Sequence, residues 1–395
     1  MIYFLSRPLV PPSDPLQTAL PSLELSSFLA AVASTLLADS LKSIPKTTFL
    51  IPRNSAFKHL GMLVSAHLLS ASSKPDLEKV ILHHVIDGVQ YAASFQNGSQ
   101  RTFPTLEGSD IQLERSSNGT LMISPSGGWA GMRSQVHVRN VLTQTGVIHE
   151  LSDLVIPRSV SLTISKLIKA AKGTTMISLL NKAGMDWVLN GTAPPDGSPW
   201  ENLNGVGWTL LCPTDDAFKR YNLTELFADA DGILRLVSQH LIPTPPVSKQ
   251  GSSETPDLLT SNQPLRMSDL VTYSTLLSPS SAYGDIVFRS DGQAPQGFLV
   301  GINGARGTEG RTDWAHVISW GRSTTSGGTG GVIAIDRVLL PYYPSWWVEY
   351  RSPAGVFSGG IILICLFFWG VRAIWRRDTT EATYEPVGGF GADDE

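Results

Sequence analysis

The chain has 395 residues, a length that suits two domains. Hydrophobic residues make up 42%, charged residues 16%, and the formal net charge is −4. An average soluble domain carries roughly 25% charge, so this composition excludes a disordered chain, and with no basic patch outside one short arginine cluster it excludes a nucleic-acid partner.

In chain order, residues 1–21 read as a disordered N-terminal segment. The opening MIYFLSRPLVPPSDP has an apolar run too short for a secretory signal and broken by Arg7 and Pro8. The expectation is that either the chain start is incomplete or the protein enters a membrane by its tail. Phe28 to Ala38 then reads as an amphipathic helix. Thr48 to Phe57 (TFLIPRNSAF) reads as a short apolar strand, a proline and a helix starting at Ser55 with Asn54 as its cap. Ile81 to Gly88 turns from helix to strand and carries His83 and His84. Gly146 to Pro157 (GVIHELSDLVIP) is a β-forming strand that Pro157 is expected to end.

The same three elements then recur, a sign of internal duplication. Ser161 to Asn190 opens the second copy with apolar residues at helical spacing, among them Leu162, Leu167, Ile168, Met176, Leu179 and Leu180. Thr209 to Phe218 (TLLCPTDDAF) repeats the strand–proline–helix opening, with Asp215 as the expected cap of a helix starting at Asp216. Leu236 to Pro243 repeats the helix-to-strand turn, and Gln239 and His240 stand where His83 and His84 stood. Gly331 to Pro341 (GVIAIDRVLLP) repeats the closing strand with one residue fewer and with Ala334 at the place of His149. Residues 190–207, 248–264 and 321–331 read as loops, the last as a hairpin tip.

Ser352 to Val371 is uncharged and about as long as a bilayer requires. Trp346, Trp347, Tyr350, Trp369 and Trp375 flank it, and Arg372, Arg376 and Arg377 follow, which by the positive-inside rule faces that end to the cytosol. The transmembrane helix is placed at 352–374, after a juxtamembrane linker at 343–351 and before a cytosolic tail at 375–395. In the tail, Tyr384 and Val387 form a Tyr-x-x-hydrophobic sorting motif. Sequons at Asn97, Asn118, Asn190 and Asn222 all precede the membrane segment and are the expected glycosylation sites.

No catalytic constellation is visible. His83 and His84 are adjacent and point apart, and no HxxxH or CxxC spacing exists, so no metal and no cofactor are expected. The glycine-rich strings at 301–310 and 326–331 lack the Lys-Ser/Thr of a phosphate loop and read as hairpin loops. Cys212 and Cys365 make no disulfide framework, and Cys212 reads as a small buried hydrophobe.

The order of elements resembles the fasciclin (FAS1) domain. That family's pattern opens with an apolar strand and Pro-Thr-Asn/Asp-x-Ala-Phe, carries a Tyr-His pair midway, and closes on Gly-Val-Ile-His and a strand finishing Leu-Leu-Pro. Pro213, Thr214, Asp215, Ala217 and Phe218 match the opening, as do Pro52, Asn54, Ala56 and Phe57, with Arg53 replacing the threonine. Gly146 to His149 match the close. The resemblance runs from about Leu23 to Pro341 and implies an α+β fold: two tandem β-sandwich or wedge domains with packed helices, at 22–158 and 161–342, plus one C-terminal transmembrane helix. It implies a non-enzymatic adhesion or docking module on a single-pass type I membrane protein, with the domains lumenal or extracellular, at the vacuolar membrane or the cell surface. The implied partners are protein or glycan ligands and further copies of the chain. The family's contact segment falls on His83, His84, Gln239 and His240, although its tyrosine is missing from both copies. The lack of disulfides and the low charge resemble fungal members, some of which are linked to vacuole-directed traffic. Two other readings are a tail-anchored tether facing the cytosol and a secretory-pathway enzyme, which would need a pocket holding a carboxylate or histidine of shifted pKa.

Overall fold

The computed structural model describes residues 12–125, 132–203, 206–244, 263–304, 314–325, 330–343 and 351–378. The chain divides into two compact units, residues 1–341 and 342–395.

The first half of the larger unit runs α1 (Pro15–Ala19), α2 (Ser26–Ala33), α3 (Ala38–Ser43), β1 (Thr47–Pro52), α4 (Asn54–His59), α5 (Met62–Leu68), α6 (Lys74–His83), β2 (Val85–Asp87), β3 (Gln100–Pro104), β4 (Asp110–Arg115), β5 (Leu121–Pro125), β6 (Ser134–Gln135), β7 (Val141–Leu142) and β8 (Gly146–Leu151). The second runs α7 (Ile164–Ala170), α8 (Thr174–Lys182), α9 (Asp186–Asn190), β9 (Gly207–Pro213), α10 (Asp215–Phe218), α11 (Leu223–Ala228), α12 (Ala230–His240), β10 (Leu241–Thr244), β11 (Thr272–Tyr273), β12 (Ile286–Ser290), β13 (Phe298–Ile302), β14 (Ala315–Arg322) and β15 (Gly330–Ile335). The fold is α+β, two copies of one sandwich with helices on one side. The segment 12–21 departs from the expected disorder: Asp14 caps α1, and Leu16 and Ala19 pack into the core.

In each copy the opening strand lies beside the closing strand in parallel, β1 on β8 and β9 on β15. Both openers are buried on both faces, which is why they read as continuous apolar runs. The period of two divides their side chains. Phe49 and Ile51 enter the helical core while Leu50 faces the outer sheet β3-β4-β5-β6. Leu210 and Cys212 enter the helical core while Leu211 packs with Ile242, Phe288 and Val300. In the second copy one sheet of order β10-β9-β15-β14-β13-β12-β11 does the work of two. β14 makes this possible, pairing with β13 through Ala315 and His316 and with β15 from Val317 to Arg322. A register shift between Val317 and Ser319 bends it. In the first copy isolated bridges, Val136 to Leu151 and Ile86 to Thr105, link the two sheets instead.

Three further sequence expectations are corrected. Asn54 and Asp215 do not cap their own helices. Asn54 Oδ1 accepts from the N–H of Ser27 (2.8 Å), at the start of α2. Asp215 accepts from the N–H groups of Thr174 (3.1 Å) and Thr175 (2.7 Å), at the start of α8. Each residue satisfies the orphan donors of a helix that precedes its own strand, a relation no local pattern contains. The closing strands also end well before Pro157 and Pro341, at Leu151 and Ile335, because the chain beyond is drawn away to a buried histidine described below. Finally, the second closing motif lacks no residue. Thr47 pairs with Gly146 and Trp208 pairs with Gly330, so Gly330, not Gly331, is the counterpart of Gly146, and Ile333 is the counterpart of His149. A Cβ at Gly146 would collide with the Thr47 carbonyl oxygen, and one at Gly330 with that of Trp208, so both copies need glycine where the parallel pair begins.

One helical core contains side chains of both copies. At the seam a Cβ on Gly61 would lie 2.8 Å from the Trp320 carbonyl oxygen, and one on Gly321 would lie 2.9 Å from Leu63 Cβ. Asp76 of α6 adds an ionic tie, taking Lys166 of α7 at 2.6 Å and His67 of α5 at 3.1 Å. Burial works against the Asp76 charge, but hydrogen bonds from Lys166 and His67 and their charges outweigh it and hold the carboxyl below its ordinary pKa.

The smaller unit contains one described helix, α13 (Arg351–Asp378). Its window Gly359–Arg376 has a mean hydropathy of 1.5 and none of it is buried. At about 1.5 Å per residue this window is roughly 27 Å long, close to the ~30 Å hydrocarbon core of a bilayer. It fits a single-pass membrane anchor by length and composition.

The glycine requirement predicts that Gly146→Ala destabilises the larger unit by about 3 kcal/mol, the upper end of the usual span for a single substitution. Asp215→Ala is expected to cost about 1 kcal/mol through lost capping of α8. Urea denaturation of each variant measures both.

Candidate functional site

His84 and His240 end helices α6 and α12 and sit at the same place in the two copies. The Nδ1–H of His84 donates to the carbonyl of Val80 (2.7 Å), and its Nε2 accepts from the N–H of Val155 (3.1 Å). The Nδ1–H of His240 donates to the carbonyl of Leu236 (2.8 Å), and its Nε2 accepts from the N–H of Leu339 (3.1 Å). A carbonyl only accepts and an amide N–H only donates, so the tautomer follows from the partners. Each ring ties the end of a helix to the segment that leaves the closing strand. Burial pushes His84 down to about 3 and His240 to about 4, so both are neutral at physiological pH.

The other two residues of the expected contact segment are equally enclosed. His83 Nδ1 lies 3.0 Å from Ser109 Oγ and 3.3 Å from Thr105 Oγ1, and burial takes its pKa to about 4 against the attraction of Glu107. Gln239 donates from Nε2 to the Gly284 carbonyl (2.9 Å). All four are 0% exposed, so the segment serves as internal structure and presents none of these side chains to a partner. His149 is buried too, between the Gln90 carbonyl (2.9 Å) and the Asn140 N–H (3.2 Å).

Asn97, Asn118, Asn190 and Asn222 are all exposed. Asn118 lies at the β4–β5 turn, where its Oδ1 accepts from the Thr120 N–H (2.9 Å), and Asn222 caps α11 through Oδ1. In both, the Nδ2 that would carry a glycan is the other atom of the amide. Tyr384 and Val387 lie outside the described residues. Cys212 is wholly buried, and burial followed by the charge of Asp215 raises its thiol well above the ordinary range, which makes it inert. Among the described residues no group of three or more His, Cys, Asp or Glu side chains is placed to hold a metal ion.

A site absent from the sequence reading lies on the outer face of the second copy. Strand pairing aligns Phe288, Val300 and Ala315 in one cross-strand row and Arg289, Leu299 and His316 in the next. The first row is buried in the core; alternation therefore turns the second outward. Trp314 stands beside it, its ring seated over Gly301, where a Cβ would come within 2.9 Å of the indole. With Ser290, Asp291, Gln293 and Arg337 these side chains line a cleft of about 480 Å³. Asp336 fixes the histidine: its Oδ1 accepts from the His316 N–H (2.7 Å) and its Oδ2 from Nδ1–H (2.9 Å). No residue pattern marks this site, because Phe298–Ile302 (FLVGI) is apolar throughout; the row is legible only once the strands are paired.

The repeated sandwich, with a parallel strand pair at each centre and a histidine tying each close, defines a tandem module of one domain type. Two regions, residues 23–157 and 171–341, match the fasciclin domain, and the chain belongs to the fasciclin family. Human periostin is 27% identical over 195 residues, 49% of this chain and 20% of periostin, so the chain spans about one fifth of that relative's length. A solved FAS1 domain pair from the insect cell adhesion molecule fasciclin I is 13% identical with a TM-score of 0.30, covering 80% of this chain and 97% of the other.

The buried histidines set a pH dependence. His83, His84 and His240 all have folded pKa values below the ordinary 6.5, so below that pH the unfolded chain takes up protons the folded chain refuses. Stability is therefore complete above pH ~6.5 and falls toward pH ~4 by about 1.4 kcal/mol per pH unit for each histidine. His84→Gln with His240→Gln is expected to lower stability at pH 7 and to flatten this slope, as read by urea denaturation across pH 4–8.

Proposed function

We propose that the protein is a non-enzymatic, membrane-anchored docking module, whose fasciclin domains make protein or glycan contacts on the lumenal or extracellular side. The observation that carries this reading is the union of a tandem fasciclin unit with one exposed apolar helix of membrane-spanning length. The arginines at 372, 376 and 377 favour a cytosolic C-terminus, and the four exposed sequons before the helix are consistent with a glycosylated domain pair. The tail motif at Tyr384 and Val387 supports a finer setting, delivery through adaptor-dependent traffic to the vacuolar membrane. Adhesion between like copies is a further contact of the same kind.

Gel mobility of the expressed full-length protein with and without an N-glycosidase tests the topology. A downward shift on treatment, lost step by step as Asn97, Asn118, Asn190 and Asn222 are changed to Gln, is expected. An unchanged mobility together with domains that a protease digests in intact microsomes replaces this reading with that of a tail-anchored tether facing the cytosol. The setting is checked separately: Tyr384→Ala is expected to move the protein from the vacuolar membrane to the cell surface.

A further inference from the structure

The cleft on the outer sheet of the second copy brings together a flat aromatic ring, cationic side chains, and groups that both donate and accept hydrogen bonds. We propose that it binds a sugar bearing an anionic substituent, a carboxylate, phosphate or sulfate, and so supplies the glycan contact of the docking reading, on which this inference rests. The volume of about 480 Å³ lies in the range of small-molecule sites. Trp314 offers a broad apolar surface to the carbon face of a sugar ring, and Gly301 beneath it exists to make room for the indole. Arg289 is exposed and has no ion-pair partner among the described residues, and Arg337 stands in the same wall. Planar guanidinium groups hold carboxylate, phosphate or sulfate oxygens through paired N–H donors. Asp336 accepts from His316 with both oxygens and so orients the ring.

The choice of a sugar over an acidic peptide rests on Asp291. Asp291 lines the cleft, its Oδ1 accepting from the Gln293 N–H (3.0 Å), and a site built only for negative charge would exclude it. An acidic sugar uses both kinds of group, its hydroxyls donating to Asp291 while its anion meets Arg289. The same pattern explains why the cleft lies on paired strands: β12, β13 and β14 fix Arg289, Leu299 and His316 in one row before any ligand arrives.

Calorimetric titration of the full-length protein in detergent tests this, with disaccharides ending in glucuronic acid, glucose 6-phosphate or glucose 6-sulfate as probes, cellobiose as the neutral reference, and a triglutamate peptide. The expected result is that at least one charged sugar binds roughly ten-fold or more tightly than cellobiose, the charge-assisted preference of an arginine site; which one does so identifies the source of the anion. Arg289→Gln is expected to abolish that preference, and Trp314→Ala to lose charged and neutral sugars alike. Because Arg289 is exposed, its variant folds and decides the matter even where Trp314→Ala does not fold. Absence of sugar binding, binding that Arg289→Gln leaves unchanged, or triglutamate binding as tightly as the best sugar overturns the proposal. Vesicle aggregation by the same proteins separates this site from the docking reading. Aggregation without sugar binding refutes the site alone, and sugar binding without aggregation refutes adhesion between like copies alone.

Discussion

In each copy two strands lie side by side in parallel with both faces covered, and everything else is arranged around them. A parallel pair cannot be closed by a tight turn. The chain between β1 and β8 therefore has to travel through helices and an outer sheet before it returns, and the same holds between β9 and β15. The return is controlled at both ends. Gly146 and Gly330 permit the close approach at which pairing begins. His84 and His240 catch the chain after pairing ends, each with one ring nitrogen on a helix and the other on the departing segment. A neutral imidazole can donate and accept along opposite directions, which suits it to bridge a carbonyl and an amide N–H inside a core.

The copies share one helical core, so the seam between them is packed like a domain interior. Gly61 and Gly321 bring α5 against β14, and Asp76 spans the join to Lys166. Two domains fused this way present their outer surfaces at a set spacing. The histidines that the family resemblance suggested as contacts belong to this interior scaffold. The outward-facing chemistry is found instead on β12, β13 and β14, where a seven-stranded sheet replaces the two separate sheets of the first copy.

Sequence alone determined a good deal: the duplication, the order of strand, helix and closing strand, the α+β class with its family resemblance, and the single apolar helix. These are local or periodic properties, carried by runs such as Thr48 to Phe57 and by the uncharged stretch from Ser352 to Val371. Tertiary structure alone decided three further things. Asn54 and Asp215 cap helices 27 and 40 residues away, as seen at Ser27 and Thr175. The register of the second closing strand follows from where Gly330 meets Trp208. The cleft appears only when Arg289, Leu299 and His316, distant along the chain, are set in one row by strand pairing. The physical reason is common to all three. A hydrogen bond or a shared face between distant segments leaves no period in the sequence, because its geometry is set by the strand pairing and not by the spacing of residues along the chain.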